Sequence, residues 1–109
     1  MDDGALIETV LAGNTEAFGT LVRKYQHALV ASARHLTRNA EDAEDLALDA
    51  LVDAYRNLRT LKDRSKFRGW LFGILRHKCL TYLQRRKSED IPLDDVVDSL
   101  PAPLPENGV

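Results

Sequence analysis

Ten lysine and arginine side chains fall within residues 59–87, opposed there by Asp63 alone. Arg59, Lys62, Arg64, Lys66, Arg68, Arg76, Lys78, Arg85, Arg86 and Lys87 alternate with Phe67, Trp70, Phe72 and Tyr82. Cations neutralise phosphates and release counterions, and aromatic faces stack on unpaired bases, so this block has the ingredients of a nucleic-acid surface. A second cluster has different chemistry. Leu48 and Val52 stand four residues apart among Asp45, Asp49 and Asp53, which on a helix makes one patch with an apolar centre and an acidic rim. Such a patch suits a basic helical surface on a partner. No nucleophile, acid and base stand at a workable spacing. His27, His35 and His77 are scattered without metal-ligand spacing, and no glycine-rich phosphate loop is present. The residues point to a binding protein rather than an enzyme, with neither cofactor nor metal expected.

The chain around these clusters has 109 residues and is 44% hydrophobic and 29% charged, enough for one small soluble domain. Its formal charge of −2 hides a separation. Residues 1–58 carry a net −5, residues 59–87 a net +9, and residues 88–109 a net −6. Three blocks of differing sign imply partners of different kinds at different places. No run of about 18 apolar residues is present to span a membrane. Met1-Asp2-Asp3 opens acidic, unlike a signal peptide. Cys79, the single cysteine, excludes an internal disulfide framework and points to a reducing, cytoplasmic setting.

Four helices are predicted to position the clusters, three long and one short. The first spans about 4–12, with Asp3 as its N-cap and Gly13 as its stop. The second follows Asn14 and repeats Phe18, Leu21, Val22, Tyr25, Leu29 and Ala33 at threes and fours as far as Leu36. Thr37-Arg38-Asn39 is the break, with Asn39 placed to cap a third helix over about 40–59. There Ala43, Leu46, Ala47, Ala50, Leu51, Ala54, Tyr55 and Leu58 form the core stripe, and Leu48 and Val52 fall on the opposite face. Glu41, Asp42, Glu44 and Asp45 suit the positive end of that helix dipole.

Residues 60–66 read as a polar loop with Ser65 as a cap, before a fourth helix ending near Arg86-Lys87. Its stripe is Phe67, Trp70, Leu71, Ile74, Leu75, Cys79, Tyr82 and Leu83, so Phe67, Trp70, Tyr82 and an inert Cys79 are expected in the core. Phe72 shares another face with Arg68 and Arg76, where a solvent-side ring between two cations would serve DNA. His77, also off the stripe, is a candidate base or phosphate contact. Gly69 and Gly73 each cost about 1 kcal/mol against Ala in a helix interior, which close approach of a nucleic-acid backbone or, more commonly, of another helix would explain. From Ser88 the period dissolves, and the acids with Pro92, Pro101, Pro103 and Pro105 read as an extended tail or linker. The expectation is an all-α, compact helical domain over 1–87 and an acidic linker over 88–109.

Taken in order, three segments resemble region 2 of extracytoplasmic-function (ECF) sigma factors. Asn14-Thr-Glu-Ala-Phe18 with Leu21 and Tyr25 is similar to the family's opening, and Asp42-Ala-Glu-Asp45-Leu46 continuing to Ala54-Tyr55-Arg56 is similar to its "DAEDL…AYR" helix. Phe67-Arg-Gly-Trp70-Leu71-Phe-Gly-Ile74, with Tyr82-Leu-Gln-Arg85-Arg86, is similar to its last helix. The resemblance implies that the third helix docks on the clamp coiled coil of the polymerase β′ subunit through Asp45, Leu48, Asp49, Val52 and Asp53. It further implies that the loop near 62–66 and the last helix capture a base flipped from the single-stranded non-template −10 promoter element. Arg59, Lys62, Lys66, Arg68, Phe72, Arg76, His77, Arg85 and Arg86 are the residues placed there. An anti-sigma factor is the further partner it implies. Three positions depart from the family pattern: Leu48 stands where Gln is usual, His77 where Asn is usual, and Thr81 where Asp is common. Two of these altered positions, Leu48 and His77, leave an alternative: a sigma-like mimic that binds an anti-sigma factor and never touches promoter DNA. The second, −35-binding domain of the family has no counterpart in this sequence, and the proline-acid tail favours a chain cut within its linker.

Overall fold

The computed structural model describes residues 2–90, with side chains through Lys87. Four α-helices follow one another: α1 (Asp3–Leu11), α2 (Ala17–Thr37), α3 (Ala40–Arg56) and α4 (Phe67–Asp90). Two short 3₁₀ turns, Leu58–Thr60 and Arg64–Lys66, occupy the α3–α4 connection. No strand occurs among the described residues.

Local chemistry sets most of these boundaries. Asp2, one residue before the expected cap, accepts the Ala5 amide at 2.8 Å and starts α1. Gly13, at φ 116°, lets the chain turn away from α1 in a conformation that a side chain would oppose. The Asn39 side-chain Oδ1 accepts the Asp42 amide at 3.0 Å and caps α3 as expected. The loop cap differs: Asp63, not Ser65, caps the second 3₁₀ turn, taking the Ser65 amide at 3.1 Å and its hydroxyl at 2.6 Å. Those bonds, the hydroxyl's first, hold the Asp63 carboxyl below its usual range. Helix α3 stops at Arg56, three residues early, because the chain tightens into the 3₁₀ turn that buries Leu58. Helix α4 runs to Asp90, three residues beyond the expected end. The extended tail expected from Ser88 is helical as far as Asp90, and the rest of it, from 91 onward, lies outside the described residues.

Helices α2, α3 and α4 pack pairwise, α2 most extensively on α3, while α1 lies on α2 and touches both 3₁₀ turns. The core face of α3 is built from Ala43, Ala47, Ala50 and Ala54 with Leu51. Such small side chains let neighbouring helices approach closely. Larger groups come from the neighbours: Ile7, Leu21, Leu29, Phe67, Leu71 and Leu75 are fully buried. Phe67 anchors an aromatic group, its ring 5.8 Å from Tyr25 and 6.0 Å from Trp70. Cys79 is buried in the core, and desolvation pushes its thiol above the ordinary range, as an inert core thiol requires.

Asp3 ties α1 down. Its carboxylate accepts from Lys24 Nζ at 2.7 Å and from the Tyr25 hydroxyl. Burial opposes its ionisation, but the hydrogen bonds from Lys24 and Tyr25 and the charges of Lys24 and Arg68 outweigh that and hold its carboxyl below the usual range.

Candidate functional site

Helix α3 presents its polar side outward with an apolar strip embedded in it. Leu48 is 61% exposed, Tyr55 41% and Val52 38%, the three large hydrophobic side chains most open to water among the described residues. Spacings of four and three residues put them on one face. Asp45 and Asp49 are exposed beside them. Tyr55 corrects the sequence reading, which placed it in the core stripe. Its ring rests edge-on against Phe18 at 5.1 Å, at the rim of the core. The seven-residue spacing from Leu48 to Tyr55 carried that signal, and the adjacent alanines, small enough to bury completely, masked it.

The acids around the strip divide. Asp53 turns toward α4 and pairs with Lys78 Nζ at 2.7 Å. Farther along, Asp42 accepts from the Tyr82 hydroxyl and lies 3.8 Å from an Arg86 guanidinium nitrogen. Tyr82, expected in the core, is therefore only half-buried, its hydroxyl serving a contact between helices. Between these ties a groove of about 660 Å³ opens along α3 and α4. Leu46, Trp70 and Ile74 give it an apolar lining, Asp49 stands on the α3 side, and His77 and Arg85 on the α4 side. Two residues predicted for a protein partner, Asp49 and Asp53, thus share a groove with two predicted for DNA.

The remaining predicted DNA residues lie on the loop and the outer side of α4. Arg59, Lys62, Lys66, Arg68 and Arg76 are exposed. Arg64 is half-buried, bonded by its guanidinium to the Glu8 carboxylate, so α1 braces the loop. Phe72 departs from the expected stacking platform. It is half-buried, edge-on to Tyr25 at 6.4 Å, with the Arg68 guanidinium 5.4 Å from its ring centre. Gly69 and Gly73 depart from the helix-packing expectation: no helix packs there, and a Cβ at either would meet nothing within 4 Å. The outer side of α4 is a smooth, cation-flanked surface.

Among the described residues no group of three or more His, Cys, Asp and Glu could hold a metal ion. No described helix is long and apolar enough to cross a membrane. The arrangement offers two kinds of contact, apolar docking on α3 and phosphate or base contact on the loop and α4.

Residues 21–89 match the family model described as Sigma-70 region 2. The chain is 32% identical over 97 residues to the RNA polymerase sigma-H factor of Pseudomonas aeruginosa, covering 85% of this chain and 50% of that protein. It is 34% identical over 95 residues to the ECF RNA polymerase sigma factor SigM of Mycobacterium tuberculosis, covering 86% and 48%. Over 100 residues it is 32% identical to the ECF RNA polymerase sigma-E factor of Haemophilus influenzae, covering 87% and 52%. The chain thus spans about half the length of the curated relatives it matches. No solved structure matches it. With the four helices, their order and the matched segment in agreement, the chain belongs to the sigma-70 region 2 family, on its extracytoplasmic-function branch.

Proposed function

We propose that this chain is the part of an RNA polymerase sigma factor that docks on the core enzyme and captures the opened −10 promoter element during transcription initiation. The carrying observation is Leu48, 61% exposed at one end of an apolar strip on the helix by which this family holds the polymerase. An apolar cluster kept in water on so small a domain marks a surface that a partner covers. Leu48, Val52 and Tyr55 supply the buried centre of that contact, with Asp45 and Asp49 facing cations of the β′ clamp coiled coil. Leu48 in place of the family's glutamine exchanges a polar contact for apolar area.

Promoter capture falls to the loop, the outer side of α4 and the α3–α4 groove. Extruding a base costs a few kcal/mol, which a pocket and a basic track must offset. Arg59, Lys62, Lys66, Arg68 and Arg76 attract the phosphates. The groove accepts a base against Trp70, with His77 and Arg85 donating at its rim. Imidazole cannot form the two-pronged contact of an asparagine amide, so sequence preference at that base differs from the family's. Bond-making stays with the polymerase.

The test is a titration of labelled protein against purified core polymerase, with Leu48→Arg as the paired variant. Saturable binding that falls at least tenfold in a folded Leu48→Arg protein supports docking through α3. Equal binding by both proteins sinks that assignment. A folded wild-type chain that binds neither polymerase nor single-stranded −10 DNA, but binds an anti-sigma factor, is a mimic instead.

A further inference from the structure

Helix α2 carries Arg23, Lys24, His27, Arg34 and His35 and has no acidic residue anywhere in its 21 positions. Lys24 is taken by Asp3 at 2.7 Å. The others are not neutralised in this way. Arg23, His27 and Arg34, joined by Arg38 just past the helix end, are separated by four, seven and four residues and lie in one exposed row. Arg23 donates to the neutral Thr20 hydroxyl at 3.2 Å. Among the described residues, no ion pair or side-chain hydrogen bond involves His27, Arg34 or Arg38. Glu44 of α3 lines with His27 and Arg34 a hollow of about 340 Å³ and forms no ion pair with the row. At about 1.5 Å per residue the row is roughly 22 Å long.

Two features set the row apart from a merely solvated face. Cations near the C-terminal end of a helix suit its dipole, which accounts for Arg34, but Arg23 lies in the second turn, near the opposite end. Arg38 adopts φ 57° in the left-handed region, where glycine or asparagine is the low-cost choice. An arginine held there continues the row by another turn.

We infer that this row is a second nucleic-acid surface, one that takes the phosphate backbone of double-stranded DNA. Its length equals about six base-pair steps of 3.4 Å, so several phosphates of a duplex can lie along it. A single strand would call for aromatic platforms, and the row has none. A protein partner would call for an apolar centre, yet the exposed large hydrophobic side chains, Leu48, Val52 and Tyr55, all belong to α3. The surface is separate from the loop and α4, and does not depend on the polymerase-binding assignment.

The experiment measures full-chain binding to a mixed-sequence duplex of about 20 base pairs across a salt series, by fluorescence anisotropy. The variants are the triple Arg23→Gln, Arg34→Gln, Arg38→Gln and the charge-preserving triple Arg23→Lys, Arg34→Lys, Arg38→Lys. The glutamine triple is expected to lower the slope of log affinity against log salt by about 2.7 and the affinity at 0.1 M salt by several hundredfold. The lysine triple is expected to keep the wild-type slope, and binding to single-stranded −10 DNA is expected to be unchanged in both. A glutamine triple with the wild-type slope overturns the inference, as does a wild-type chain that ignores duplex DNA. Loss of polymerase binding with duplex binding intact also overturns it, reassigning the row to a protein partner.

Discussion

The outward faces of α3 and α4 meet water in opposite ways. Helix α3 keeps Leu48, Val52 and Tyr55 outside and borders them with carboxylates, whereas α4 shows two bare glycines flanked by cations. An apolar strip gains its energy on contact and only over the area covered, at about 25 cal/mol per Å². A cationic surface acts at a distance, through counterion release, and fades with salt. The two faces thus differ in what they can recognise: one needs a complementary shape, the other a line of phosphates. The acids of α3 also shield α4's inner cations, through Asp53–Lys78 and Asp42–Arg86, leaving the outer ones for a ligand.

The largest expected effect would break both faces together. Leu71 is fully buried on α4, and Leu71→Ala should destabilise the fold by about 3 kcal/mol through lost burial and a residual cavity. Denaturant unfolding measures the loss. Polymerase and DNA binding should then weaken in parallel near the melting temperature, while surface variants separate them.

Salt separates the faces more finely. Removing Leu48 by Leu48→Ala should cost polymerase affinity by about 1.5 kcal/mol, nearly independently of salt. Arg76→Ala should instead cut the salt slope for single-stranded −10 DNA by about 0.7, the share of one phosphate contact. Anisotropy at several salt concentrations checks both; a salt-sensitive Leu48 effect would merge the faces into one electrostatic surface.

The glycines test what the α4 face is for. With open space around both Cβ positions, Gly69→Ala and Gly73→Ala should each stabilise the helix by about 1 kcal/mol. A higher melting temperature with weaker DNA binding would mean that a nucleic-acid backbone approaches the bare helix. A higher melting temperature with unchanged DNA binding would leave the glycines outside the interface.

The smallest effect concerns the tie between α1 and α2. Because the folded Asp3 carboxyl sits below its ordinary value of 3.8, its contribution is present above that value and fades as pH falls through the folded one. Asp3→Asn should cost less than about 1 kcal/mol at neutral pH, where water screens the pair, and the gap from wild type should close in acid. Thermal melts between pH 7 and pH 2.5 measure it. DNA binding should rise slightly as Arg68 loses a neighbouring negative charge, and polymerase binding should not change.

Much of this molecule was legible before any coordinates. Helical periodicity and capping are local, so four helices, the Asn39 cap and the break at Arg38 follow from neighbours in the chain. The Leu48–Val52 strip was legible for the same reason, since i,i+4 spacing needs no partner helix to interpret. The family resemblance rested on short motifs in order, and the match over residues 21–89 agrees with it. Phe72 was harder: its position off the stripe was read correctly, but Tyr25 on α2 reaches round to half-bury it.

Sequence alone determined the helices, their polarity and the separation of charge into blocks, because these depend on residues within a few turns of one another. Tertiary structure decided which of those groups remain available. It turned Tyr55 outward because the alanines of α3 fill the seam with α2 and α4. It joined Asp53 to Lys78 and Glu8 to Arg64, and left Gly69, Gly73 and the cationic row of α2 without a covering helix. Each outcome depends on what lies across from a side chain rather than beside it, and that is known only once the helices have packed.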